Sequence, residues 1–189
     1  WQTFENAGVT TASFHLDLYR GLDREKEIGK NSFWTTGTVF TPDGGAPEGW
    51  WLGRGVNHHW LLPACVSDEC VRGRFDPTLA CDVSFVGKSH GYHHQYPFRE
   101  QLVYGLRDRY GKRFRLFGHG DNMRGQRLND LMASAKVVVG DSLMLPNHTR
   151  YTSDRLFETI GRGGFCVWPR MDWLDELGFV DGEHYVTFE

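Results

Sequence analysis

The sequence predicts an α/β fold, a parallel sheet with helices on both faces, together with a partial N-terminal region of different character. Three observations predict it. From about residue 82 onward, short β-rich runs alternate with helical patterns four times, with short connections between them. The run Lys136-Val-Val-Val-Gly140 is apolar without alternation, as a strand covered on both sides must be. Three of the predicted strands end on a glycine, at Gly87, Gly118 and Gly140, where the chain can turn tightly out of the sheet.

Taken in order, residues 82–87 read as a strand. Residues 96–110 read as a helix, because Phe98, Leu102 and Leu106 recur every four positions with charges between them. A second strand is predicted over 114–118, then a helix over 127–135 with Leu128, Leu131, Met132 and Ala135 on one face. The third strand is 136–140, followed by a helix over 153–161 and a fourth strand over 164–168. A short helix over 171–177 and a last strand over 184–188 complete the pattern. Crossovers in such a sheet are right-handed, and ligands bind at the carboxyl ends of the strands.

Residues 1–81 differ. Strands are expected over 9–16 and 33–41. The remainder is rich in Gly, Pro and Trp, including Pro42-Asp-Gly-Gly-Ala-Pro47 and the Trp50-Trp51 pair. The predicted division is therefore 1–81, the end of a preceding domain with its linker, and 82–189, the α/β domain. The chain opens on Trp1 without an initiator Met and is expected to begin inside a longer one.

Bulk properties narrow the function classes. The 189 residues are 40% hydrophobic and 24% charged, enough to bury a real core. A net charge of −3 gives no general attraction to nucleic acid or membrane. No run approaches the roughly 20 apolar residues of a membrane span, and the N-terminal residues lack the layout of a signal peptide. Cys65, Cys70, Cys81 and Cys166 are separated by intervals that include five and eleven residues, which fit no zinc pattern. They read as free thiols of a reducing compartment, and the expected location is cytoplasmic.

Two local patterns suggest chemistry. Gly87 and Lys88 follow the first predicted strand of the α/β domain, where backbone N–H groups approach an anion and a lysine neutralises phosphate. A tight turn with an exposed lysine is the plainer reading. No P-loop and no GxGxxG dinucleotide signature is present, which argues against a dehydrogenase. Thr152, Ser153 and Asp154 are natural N-cap residues that aim the positive end of the 153–161 helix outward from the sheet edge. Glu158 lies one turn inside, and Gly161, Gly163 and Gly164 end the helix abruptly.

These segments, Asp82-Val-Ser-Phe-Val-Gly-Lys88 and Arg155-Leu-Phe-Glu-Thr-Ile-Gly-Arg-Gly-Gly-Phe165, resemble the GT-B glycosyltransferases of the "group 1" type. The tail Asp181-Gly-Glu-His-Tyr-Val-Thr-Phe188 is similar to a later strand of that family. The resemblance covers roughly 82–189 and implies a Rossmann-like, nucleotide-sugar-binding domain. It implies that Glu158 binds the donor ribose, that Lys88 contacts the diphosphate with Gly87 leaving it space, and that Thr152 and Ser153 approach the phosphates or the sugar. Arg150 or Arg155 would add positive charge where the leaving group develops its own. A second Glu found in many relatives is replaced by Arg150 here. The basic residue that follows the Val-Gly-Lys turn falls on His94, with Arg99 as the other candidate. In the N-terminal region, His15 and Asp17 are the candidates for a catalytic role, a base in an inverting enzyme or a positioning group in a retaining one. A loop histidine with Asp17 capping a helix is the plainer reading of that pair.

His90, His93 and His94 lack a carboxylate and a helical pairing, so they read as a polar loop rather than a metal site. Trp34, Trp50, Trp51 and Trp60 could stack on a sugar or base, but packing accounts for them more simply. The expected function is transfer of a sugar from a nucleotide-diphosphate donor, without metal or resident cofactor. The acceptor is open among saccharide, lipid, protein and nucleic-acid base. The alternatives are a non-catalytic nucleotide- or partner-binding module and a sugar-nucleotide epimerase of related fold.

Overall fold

The computed structural model describes residues 1–45, 48–89, 96, 98–143 and 150–189. They fall into two compact units, Trp1–Pro63 with Met144–Thr152, and Ala64–Leu143 with Ser153–Glu189.

The first unit carries α1 (Gln2–Asn6), β1 (Ala12–Phe14), β2 (Thr38–Thr41), α2 (Glu48–Leu52) and β3 (His58–Trp60). Its sheet has the order β1-β2-β3 and is parallel throughout, with Val39 opposite Ser13 on one side and His58 on the other. The predicted strand over 9–16 shortens to three residues. The strand predicted over 33–41 is half right. Ser32–Trp34 is a 3-10 turn, and Gly37 at φ 74° breaks the extension, packed so closely on Thr11 that a Cβ would collide with its side chain and carbonyl. The Trp-rich stretch is likewise more ordered than a linker, since it supplies α2 and a third strand. Trp34, Val39, Trp51 and Val56 form a core at 0–2% exposure, so these two tryptophans are packing residues.

The second unit is a five-stranded parallel sheet in the order β5-β4-β6-β7-β8. Its elements are β4 (Cys81–Val86), α3 (Arg99–Tyr110), β5 (Phe114–Phe117), α4 (Gly125–Ser134), β6 (Ala135–Val139), α5 (Asp154–Gly161), β7 (Cys166–Pro169) and β8 (Val186–Phe188). A 3-10 helix over Asp172–Leu177 stands where a short α-helix is predicted. The central strands are buried on both faces. Val138 of β6 joins Leu128, Leu131 and Met132 of α4, while its neighbour Val139 joins Val103 of α3. The unit is therefore a Rossmann-like α/β domain with helices on both faces, as the alternating pattern predicts.

Helix α3 begins three residues later than predicted, and its anchor is Val103 at 0% exposure. Phe98, expected to share the apolar stripe, is 74% exposed just before the helix. The order β5-β4-β6-β7-β8 places a reversal between β4 and β6, because the chain leaves β4 toward β5 and returns past it to β6. Ligands of such sheets bind outside the strand ends at that reversal.

Candidate functional site

A cleft of about 600 Å³ opens at this reversal, within the second unit. The ends of β4, β5 and β6 form its floor through Gly87, Gly118 and Gly140, and the first turn of α5 forms a wall through Ser153, Asp154 and Arg155. Gly87 has φ 146°, a backbone region that side-chain-bearing residues rarely adopt. Of the strand-end positions, this is the one where the turn itself requires glycine.

Positive charge dominates the lining. Lys88, Arg99, Arg124 and Arg155 face the cleft with two carboxylates, Asp141 and Asp154. Arg99 is fixed by a bidentate pair to Asp141, with Nε–Oδ2 and Nη2–Oδ1 both 2.8 Å and both side chains nearly buried. Its guanidinium also lies 3.9 Å from the centre of the Tyr96 ring. Arg155 makes a 2.6 Å ion pair with Glu158, one turn further along α5.

The start of α5 is capped by Ser153, whose Oγ accepts from the Arg155 amide at 3.3 Å. Ser153→Ala is expected to cost about 1 kcal/mol, read as a lower urea midpoint for the second unit. The helix N-terminus adds partial positive charge to the same wall.

The structure thus gathers Gly87, Lys88, Arg99, Ser153 and Arg155 around one cleft. Glu158 stays outside the lining, held by Arg155 and, at 3.8 Å, by the buried Arg162. Arg150 and Thr152 group with the first unit: the Arg150 carbonyl accepts from Trp60 Nε1 at 3.1 Å, and Thr152 is fully buried.

His15 and Asp17 also belong to the first unit. The His15 ring stacks on Trp34 with centroids 4.5 Å apart, and its Nδ1 and Nε2 contact Tyr19 and Ser13. Burial lowers its pKa, opposed by the nearby Asp17. Asp17 is exposed and paired with Arg24 at 2.9 Å. His90, His93 and His94 lie outside the described residues.

Asp141, Arg124 and Asn122 line the cleft without having been singled out by the sequence. Asp141 and Asn122 sit just past predicted strand ends, at Gly140-Asp141 and Gly118-His-Gly-Asp-Asn122, and that position is the signal that could have found them.

A family model described as glycosyl transferase-like matches residues 99–189. This segment, just under half of the chain, is similar to the glycosyl transferase-like family. It holds four of the five strands of the Rossmann-like sheet of the second unit, an architecture consistent with a domain of the GT-B type. Among curated proteins, none matches the chain. Among the described residues, no helix is long and apolar enough to cross a membrane.

Proposed function

We propose that the glycosyl transferase-like domain binds a nucleoside-diphosphate sugar, with the diphosphate in the cleft at the strand reversal, and that the protein transfers the sugar to an acceptor. The observation that carries this reading is the convergence of Lys88, Arg99, Arg124, Arg155 and the N-terminus of α5 on one cleft floored by strand-end glycines. When the bond from the sugar carbon to the diphosphate oxygen breaks, negative charge grows on the leaving oxygen. Fixed cations and a helix N-terminus stabilise that charge more than they stabilise the bound donor. Arg99 suits the task because Asp141 holds its guanidinium in place before any ligand arrives. Glu158, engaged with Arg155 and Arg162, serves in this reading to orient Arg155.

The test is a thermal-shift screen against UDP, GDP, ADP, CDP and dTDP. A diphosphate at a hundred times its dissociation constant stabilises the fold by about 2.7 kcal/mol. A selective response to one base is expected. Lys88→Ala and Arg155→Ala should each weaken that ligand about tenfold, the loss of one charge-assisted contact. No response to any diphosphate from a folded sample would overturn the donor site. An epimerised donor in place of a new glycoside would move the activity to the epimerase class.

A further inference from the structure

Residues 64–73 belong to the second unit and pack against α4 and the end of α5. At Gly73 a Cβ would collide with the backbone of Asn129. At Gly161, the last residue of α5, a Cβ would lie 3.0 Å from Cys65 Sγ and 3.3 Å from Cys70 Sγ. Two sulfurs five positions apart in sequence therefore converge on the space that one glycine leaves open. A backbone turn brings them there: the Cys70 amide donates to the carbonyls of Val66 and Ser67, both at 3.1 Å. Both residues are partly exposed to solvent.

The same turn is fastened from below. Arg162 is 2% exposed, donates to the Glu69 carbonyl at 2.6 Å and to Asn129 Oδ1, and lies 3.6 Å from the Glu69 carboxylate. Cys70, next in the chain, is thereby held over Gly161.

We propose that Cys65 and Cys70 form a redox-active dithiol that closes to an intramolecular disulfide by exchange with a small-molecule disulfide. The thiolate of one cysteine attacks a sulfur of that disulfide, forming a mixed disulfide and expelling one small thiolate. The second cysteine then gives up its proton and attacks the protein-side sulfur, expelling the second small thiolate and forming the Cys65–Cys70 bond. The protein loses two hydrogens, and the small disulfide is reduced to two thiols. Proximity makes the second step intramolecular, so the mixed disulfide does not accumulate. Burial and the neighbouring Cys65 thiol raise the Cys70 pKa, which slows exchange at neutral pH and favours it under mildly alkaline conditions. The other two thiols differ: burial pushes Cys166 up to about 12 and also raises Cys81.

The test uses the full chain, folded and reduced, incubated with oxidised glutathione at mildly alkaline pH, then denatured, alkylated and digested with trypsin. Residues 55–72 form one tryptic peptide that contains both cysteines. The expected result is that this peptide is lighter by two hydrogens, escapes alkylation and recovers its thiols with dithiothreitol. Cys65→Ser and Cys70→Ser should each retain a single glutathione on the remaining cysteine. In the wild-type protein, recovery of this peptide alkylated at both positions, or carrying glutathione on both, overturns the proposal.

Discussion

Gly140→Ala is expected to destabilise the second unit by about 3 kcal/mol, the upper part of the range for an overpacked core. Gly140 directly follows β6, and its amide donates to the Val167 carbonyl at 3.0 Å. The indole of Trp168 lies against its Cα. An added Cβ would collide with Cζ3 and stand 2.6 Å from Cε3 and 2.9 Å from Cη2. Trp168 is 0% exposed and backed by Leu156 and Leu174, each also 0% exposed, so the ring has no room to retreat. Either the ring or the end of β6 must move, and β6 leads into the floor of the cleft. A loss of about 3 kcal/mol corresponds to roughly 6–12 °C in the melting temperature of a chain this size. A double-mutant cycle isolates the cause: in a Trp168→Leu background, Gly140→Ala should cost much less. Equal cost in both backgrounds would show that the strain lies elsewhere. If the cleft holds the donor, Gly140→Ala should also weaken the nucleotide response.

The second unit was legible in the sequence because its elements are long enough to show a period. Leu128, Leu131 and Met132 mark one face of α4 in the chain and pack together in the fold. The limit of such patterns shows at Phe98, which keeps the spacing of Leu102 and Leu106 yet precedes the helix and points to solvent. In the first unit, β1 and β3 have three residues and α2 has five, too few for any period to register. The site divides in the same way. Gly87, Lys88, Ser153 and Arg155 are visible as a strand end and a helix start. Asp141 reaches Arg99 from 42 positions away, and only the strand order brings the two loops together. Glu158 was legible as a carboxylate in the right helix, but its i,i+3 pairing with Arg155 depends on the rotamers both adopt.

A second large effect is expected from pH, and Asp43→Asn should reveal it. Thr41 and Asp43, at the end of β2, are 0% and 1% exposed. The Asp43 carboxylate accepts from the Tyr19 amide at 2.9 Å, and Thr41 Oγ1 lies 2.9 Å from Nε2 of His58. His58 stacks on Trp51 with centroids 4.1 Å apart. Burial raises the Asp43 pKa from 3.8 to about 7, against hydrogen bonds from the Tyr19 and Arg20 backbone and Thr41 and the charge of Arg20. Burial, with a smaller contribution from His59, lowers that of His58 from 6.5 to about 4. The two groups act in opposite directions. Asp43 binds its proton more tightly in the folded state, so its contribution is present at low pH and lost as pH rises from about 4 to about 7. His58 binds its proton more weakly in the folded state, so its contribution is present above 6.5 and lost as pH falls toward 4. Between about pH 4 and 6.5 the two slopes offset, and from there to about pH 7 the Asp43 slope acts alone. Asp43→Asn removes one side of the balance: relative to wild type, the variant should gain stability across this range, by about 4 kcal/mol once pH exceeds 7. His58→Gln should produce the mirror image, losing stability relative to wild type as pH rises from about 4 to 6.5. Urea midpoints followed by tryptophan fluorescence suit the measurement, because five of the seven tryptophans lie in the first unit. Parallel pH profiles for wild type and Asp43→Asn would mean that Asp43 ionises normally in the fold, with its burial offset by the hydrogen bonds it accepts.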